Sequence, residues 1–340
     1  MGIKCDIKTD QVTYCPGQTV KCNVQLDFDS PVKKIKNISV RFKGEAGTKW
    51  TRGAAKNSIT FTAEQEYFRH YTYIVGSKDS GNDTELSAGT HNYSVQFTLP
   101  TAIPSSFVER HGYIRYTIKV HVDVAWAFDS KFVVEFNVCA PLDLNKMPET
   151  QLPVCIEESK RFTICCIPLG GIYRLTFSMP YSGFCNDQKI PICLECVNNS
   201  NVYVKGLKVA LRKLITYHSE IPHAETKRDD IKVAVLKFQV SVDKQQTKQF
   251  SGELTVPAKT ATNLANCSII QISHRLEVIT ELSGCHSNYV FDVPVTIGHV
   301  GPVTNGSLPI YMPSKGAMGQ GPPSYDIAMR SSTSVVPPNI

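Results

Sequence analysis

Ile114-Arg-Tyr-Thr-Ile-Lys-Val-His-Val-Asp-Val124 decides the fold class. Its apolar residues (Ile114, Tyr116, Ile118, Val120, Val122, Val124) alternate without a break with Arg115, Thr117, Lys119, His121 and Asp123. A period of two places one set of side chains in a core and the other in water, the pattern of an antiparallel strand with one wet face. The same period recurs at both ends of the chain. Val20, Cys22, Val24, Leu26 and Phe28 alternate with Lys21, Asn23, Gln25, Asp27 and Asp29, and Ile270, Ile272, Leu276 and Val278 share one face of a later segment. Helical spacing does not persist over any window of a dozen residues. The chain therefore reads as all-β, and sheets with one wet face pair as sandwiches.

The pattern is duplicated. Tyr14-Cys-Pro-Gly-Gln-Thr-Val20 matches Phe184-Cys-Asn-Asp-Gln-Lys-Ile190 position by position: aromatic, Cys, turn pair, Gln, polar, β-branched. Both copies start a strand after a tight turn. Later in each half an apolar-Pro step (Leu99-Pro100, Val256-Pro257) precedes a loop and a long amphipathic strand. Two tandem sandwiches are expected, over residues 1–140 and 155–300. Between them, residues 141–154 hold several prolines and no clean alternation, which reads as an interdomain linker. Residues 301–340 are rich in Pro, Gly and Ser and nearly without charge. Such a segment buries too little apolar area to offset its ordering entropy and is expected to be a flexible tail.

A length of 340 residues suits two such domains, and 42% apolar content suits globular ones. No apolar run approaches the ~20 residues of a membrane helix. The first residues carry no apolar signal region, so the expectation is a cytoplasmic protein. Twelve cysteines and six Asn-x-Ser/Thr sequons suggest the opposite, a secreted, disulfide-bonded β-sandwich adhesion module. Cys22 and Cys196, however, stand where a small core residue belongs, and free Cys packs as one. The net charge of +6 is spread evenly along the chain, unlike the concentrated charge of a nucleic-acid binder. Only Lys33-Lys34-Ile-Lys36 and Lys205…Lys208…Arg212-Lys213 cluster. They leave room for a weak contact with acidic lipid headgroups.

Chemical signatures are sparse. Gly-x-Ser-x-Gly, His-Glu-x-x-His and a phosphate-binding Gly-Lys-Ser/Thr loop are absent from the sequence. Cys193-Leu-Glu-Cys196 has the spacing of a zinc knuckle, but the period of two puts Cys193 opposite the face shared by Ile190, Ile192, Leu194 and Cys196. The adjacent pairs Cys165-Cys166 and Cys285-His286 diverge for the same reason. No catalytic residue, metal site or cofactor is expected. The informative motif is Pro322-Pro323-Ser324-Tyr325 in the tail. Its prolines hold the backbone near polyproline II, which the aromatic grooves of WW domains bind at little entropic cost, and Tyr325 can fill the neighbouring pocket.

Together these motifs resemble the arrestin domain-containing proteins, the α-arrestins. Tyr14-Cys-Pro-Gly-Gln-Thr-Val20 resembles the family's first strand, and Arg41-Phe-Lys-Gly-Glu-Ala46 with Trp50 the segment that follows. Leu86 to Pro100, Ile103-Pro-Ser-Ser-Phe107 and Gly112-Tyr-Ile-Arg-Tyr116 are similar to its most recognisable stretch. Asp143-Leu-Asn145 resembles the interdomain connector, and Leu254-Thr-Val-Pro257 with Pro294-Val-Thr-Ile-Gly298 the second half. The resemblance implies two tandem arrestin-type, immunoglobulin-like β-sandwiches and an adaptor rather than an enzyme. Such an adaptor would sit in the cytoplasm, be recruited peripherally to the plasma membrane and endosomes, and engage transmembrane receptor or transporter cargo. Pro322, Pro323 and Tyr325 would recruit a HECT-type ubiquitin ligase through its WW domains, for ubiquitylation, endocytosis and endosomal sorting of that cargo. The alternative within the resemblance is binding of phosphorylated receptors to regulate signalling. Three features depart from the pattern. The tail carries one Pro-Pro-x-Tyr motif where many relatives carry two. Asn186-Asp187 replaces the Pro-Gly expected before the second domain's first strand. No cysteine lies between Cys196 and Cys267, so thioredoxin binding is not expected.

Overall fold

The computed structural model describes residues 2–301 apart from 55–56, 78–83, 126–128, 165–166, 169, 240 and 285. Cys165, Cys166, Cys285, the tail and its Pro322, Pro323 and Tyr325 thus lie outside the described residues. Within them the chain is strand nearly throughout, with no α-helix. The first half holds β1 (Ile3–Thr9), β2 (Thr13–Tyr14), β3 (Thr19–Phe28), β4 (Val32–Arg52), β5 (Ile59–Gly76), β6 (Thr84–Leu86), β7 (Gly89–Thr98), β8 (Phe107–Glu109), β9 (Gly112–Val124) and β10 (Ser130–Val138). The second holds β11 (Val154–Lys160), β12 (Thr163–Ile164), β13 (Ile167–Pro168), β14 (Tyr173–Met179), β15 (Gly183–Cys185), β16 (Lys189–Asn198), β17 (Val204–Ser219), β18 (Glu225–Phe238), β19 (Gln246–Thr255), β20 (Ile270–Leu282) and β21 (Tyr289–Gly298).

In the first half a sheet ordered β1-β3-β7 packs on one ordered β2-β10-β9-β4-β5, and in the second β11-β14-β16-β19 packs on β15-β21-β20-β17-β18. The two larger sheets share one topology. The strand that opens the analysis is β9, held between β10 and β4, and β20 holds the same place between β21 and β17. As the alternation requires, Ile114, Tyr116, Ile118, Val120 and Val122 are all fully buried. Cys22 and Cys196 lie in the two cores, as the shared apolar faces predict.

The duplicated turn is duplicated in three dimensions. Gln18 Oε1 accepts from Cys15 N at 2.7 Å, and Gln188 Oε1 accepts from Cys185 N at 2.9 Å. Gln18 O accepts from Leu99 N and Gln188 O from Val256 N, both at 2.9 Å, which joins each turn to its apolar-Pro step. Gly17 turns with φ +83°, and Asp187 takes the corresponding φ of +63°. The Asn186-Asp187 departure therefore keeps the turn: aspartate tolerates the left-handed region better than most side chains. Asn186 Nδ2 further ties the turn down by donating to Thr260 O at 3.1 Å.

The proline-rich stretch between the halves is more ordered than its lack of periodicity suggests. It folds into two 3-10 turns, Leu144–Lys146 and Pro148–Gln151. Leu144 and Thr150 are buried, and main-chain bonds clasp the stretch to the second sandwich: Leu144 N donates to Val300 O (3.0 Å) and His299 N to Leu142 O (2.8 Å).

Candidate functional site

A seam fixes the two sandwiches against each other and so sets which surfaces they present jointly. The far end of the β4–β5 hairpin meets the β17–β18 hairpin there. Thr62 N donates to Ile221 O at 2.9 Å, and Thr62 O accepts from Glu220 N (2.9 Å) and Ile221 N (3.0 Å). Thr48 Oγ1 donates to His218 O at 2.7 Å, and Gln65 Oε1 accepts from both Ser268 N and Ser268 Oγ at 3.0 Å. Under these bonds Ile215, Tyr217, Ile270 and Ile272 join the hydrophobic core of the first sandwich. Gly112 makes the approach feasible, since a Cβ there would stand 2.9 Å from Ile270 Cδ1 and 3.0 Å from Tyr217 Cδ1. Ion pairs flank the apolar centre, Arg52 with Glu225 at 2.7 Å and Lys213 with Glu109 at 3.0 Å. Apolar contact supplies most of the adhesion, because half-exposed pairs of this kind contribute only about 0–1 kcal/mol each.

Beside the seam a cavity of about 260 Å³ is lined by Cys15, Pro16, Ile103, Pro141, Asn263 and Leu264. That lining offers no acid–base pair. Among the described residues no group of three or more His, Cys, Asp or Glu side chains could hold a metal ion. Cys193 and Cys196 stand on opposite faces of β16: Cys193 pairs with Ser178 and Ser251, whereas Cys196 lies opposite Leu175 in the core. Burial pushes the thiol of Cys196 up to about 11 and that of Cys22 up to about 12, which keeps both protonated and unreactive.

His274 is a titratable group strongly altered by the fold. It is buried, and its Nδ1 lies 2.7 Å from Asn263 Oδ1. Ile297 N also donates to that oxygen, so Oδ1 is the acceptor and Nδ1 carries the proton. Burial, and after it the charge of Lys213, pushes the His274 pKa down to about 4 from 6.5. The folded state thus binds fewer protons than the unfolded chain between these values. Stability present above pH 6.5 is expected to fall by about 2–3 kcal/mol as the pH drops to 4. Urea denaturation across that range checks this, with His274→Gln expected to flatten the slope.

Of the two basic clusters of the linear sequence, the second is largely neutralised. Lys208 pairs with Glu281, Arg212 with Asp230 (2.8 Å) and Glu277 (3.2 Å), Lys213 with Glu109, and Lys33 lies 3.8 Å from Glu85. The proposed recruitment residues Pro322, Pro323 and Tyr325 are outside the described residues. The seam itself escaped the sequence reading. Gly112 was its one legible trace, as a glycine opening an otherwise unbroken strand.

Comparison with known proteins agrees with this geometry. Residues 3–145 match the family model of the arrestin (or S-antigen) N-terminal domain, and residues 170–302 match that of the arrestin (or S-antigen) C-terminal domain. The chain is 26% identical over 345 residues to arrestin domain-containing protein 17 of Caenorhabditis elegans, covering 92% of this chain and 76% of that protein. It is 26% identical over 269 residues to mouse arrestin domain-containing protein 1 (79% of this chain, 58% of the relative) and 23% identical over 291 residues to the human protein of that name (85% and 62%). The match spans about three fifths of the length of the mouse and human relatives.

Proposed function

The chain belongs to the arrestin family, with an N-terminal and a C-terminal arrestin domain in tandem, and from that premise we propose that it is a trafficking adaptor joining membrane-protein cargo to a HECT-type ubiquitin ligase. The joined sandwiches are the cargo-binding platform, and the tail is the ligase-binding arm. One observation carries the ligase half of this reading: Pro322-Pro323-Ser324-Tyr325 follows the second arrestin domain. About 23 residues separate Gly298 from Pro322, and a flexible segment of that length spans roughly 25–30 Å. A ligase held there reaches lysines on the adaptor and on cargo docked beside it.

The test is a calorimetric titration of the full chain with an isolated WW domain. Tyr325→Ala and Pro323→Ala are each expected to weaken binding at least tenfold, since each empties a pocket, while Ser324→Ala leaves it within about twofold. Phosphorylation of Tyr325 should weaken it as well, by placing charge in a pocket for a neutral phenol. Equal binding by the wild-type and Tyr325→Ala proteins would remove the ligase half of the reading and leave the arrestin fold.

A further inference from the structure

The outer faces of the two large sheets carry the same motif with opposite charge balance. In the second sandwich Arg212 of β17 stands directly across from Arg275 of β20. Like charges in that position repel, and acids relieve them. Arg212 reaches Asp230 and Glu277, and Arg275 reaches Asp230 at 2.6 Å and Asp292 at 3.2 Å. In the first sandwich Arg41 of β4 stands directly across from Lys119 of β9, with Lys131 of β10 one residue pair further along the sheet. Here the acids are missing. Among the described residues no carboxylate comes within ion-pair distance of Arg41, Lys119 or Lys131, and the buried Nε of Arg41 has no hydrogen-bond partner.

The neighbouring acids lie nearer other groups. Asp129 lies 3.0 Å from His121 Nε2, Asp123 accepts from Asn37, Glu45 pairs with Lys43, Glu66 with Arg69, and Glu135 lies 3.9 Å from Arg115. The pKa of Lys119 is lowered by burial and then by the charges of Arg41 and Lys131. A cluster of unrelieved cations is a site waiting for negative charge.

The surroundings say what kind. Tyr71 lies across from Arg41 and Tyr73 across from Ser39, and they are 46% and 36% exposed; Val133, across from Lys119, is 59% exposed. β4 and β9 are interior strands, with main chains already paired on both sides, so an extended peptide cannot add to them as a strand. None of the described cavities is lined by these residues. A face of cations framed by tyrosines and an exposed aliphatic residue suits an extended anionic plane, with the tyrosines at headgroup depth and the cations on the phosphates.

We propose that Arg41, Lys119 and Lys131, framed by Tyr71, Tyr73 and Val133, dock the first arrestin domain on the headgroups of an anionic lipid bilayer. This is independent of the tail and of any cargo, since bare vesicles contain neither ligase nor receptor. It also places the charge on one sandwich only, so docking orients the molecule.

The experiment is sedimentation of the full chain with vesicles of phosphatidylcholine alone or with about one third phosphatidylserine. Binding is expected only with phosphatidylserine and is expected to fall steeply as salt rises. Each basic side chain at such a surface contributes about a fivefold gain, so the triple variant Arg41→Gln/Lys119→Gln/Lys131→Gln should lose about a hundredfold. A charge-matched control, Lys21→Gln/Lys49→Gln/Lys227→Gln, should stay within about threefold of wild type, and thermal melts confirm that both variants fold. Equal loss in the two triple variants, or binding indifferent to phosphatidylserine, overturns the site. A separate arm titrates a phosphoserine peptide. Peptide binding lost in the Arg41/Lys119/Lys131 variant, without vesicle binding by wild type, overturns the membrane in favour of a phosphorylated partner.

Discussion

Tyr116→Ala is expected to destabilise the first sandwich by about 3–5 kcal/mol, a full aromatic deletion from a packed core. Tyr116 is completely buried on β9, and its ring packs on Phe68 and Phe136 with centroids 5.9 Å away in each case. Its hydroxyl donates to Pro104 O at 2.6 Å, which pins the loop after the first apolar-Pro step. Tyr116→Phe keeps the ring and should cost only about 1 kcal/mol, through the unpaired carbonyl. Gly44 completes the arrangement from the neighbouring strand. A Cβ there would come within 2.6 Å of the Phe68 ring and 2.7 Å of the Tyr116 ring, so Gly44→Ala should cost about 1–3 kcal/mol by overpacking. Urea denaturation followed by tryptophan fluorescence reads this half selectively, because both tryptophans, Trp50 and Trp126, belong to it. A Tyr116→Ala midpoint equal to that of wild type would show that these ring contacts do not hold the sandwich together.

Tyr116 and Gly44 also show what kind of information the sequence exposes. Tyr116 falls on the apolar side of an unbroken alternation, so its burial follows from the period alone. That Gly44 lies under it requires the register of β4 on β9, which no single segment contains. The same distinction separates the charges. Lys208, Arg212 and Lys213 are close in sequence and look like a basic patch, but β18, β20 and the first sandwich bring acids to each of them. Arg41, Lys119 and Lys131 are far apart in sequence and invisible as a group, yet three paired strands bring them onto one face. The duplicated turn was legible because the bonds that close it are local, Gln18 to Cys15 and Gln188 to Cys185, although each turn is also tied to a distant apolar-Pro step. The seam was not, because Tyr217 and Ile270 alternate like any core residues and only the tertiary contact with Gly112 shows which core receives them.

The stretch between the sandwiches gives the second large effect. It lacks periodicity because two isolated side chains, Leu144 and Thr150, anchor it. Leu144 is seated on two glycines of the second sandwich. A Cβ on Gly298 would stand 2.7 Å from Leu144 Cγ, and one on Gly183 would stand 3.2 Å from Leu144 Cδ1. Asp143 Oδ1 accepts from Asn145 N at 3.0 Å, and Gln151 Nε2 donates to Leu144 O at 3.2 Å, so the turn is held closed around its buried leucine. Leu144→Ala is expected to cost about 2–5 kcal/mol, since the rigid main chain on both sides cannot collapse into the space. Gly298→Ala should also destabilise, by about 1–3 kcal/mol, because its new methyl meets the leucine. The two together should cost less than their sum, because the shortened side chain makes room for that methyl. Relief stays incomplete, since Leu142 O is also only 3.0 Å from the added carbon. A double-mutant cycle on denaturation midpoints reads this coupling directly. Strict additivity would mean that Leu144 and Gly298 do not share the seat. The expected coupling would make the stretch a structural clasp on the second arrestin domain rather than a loose connector.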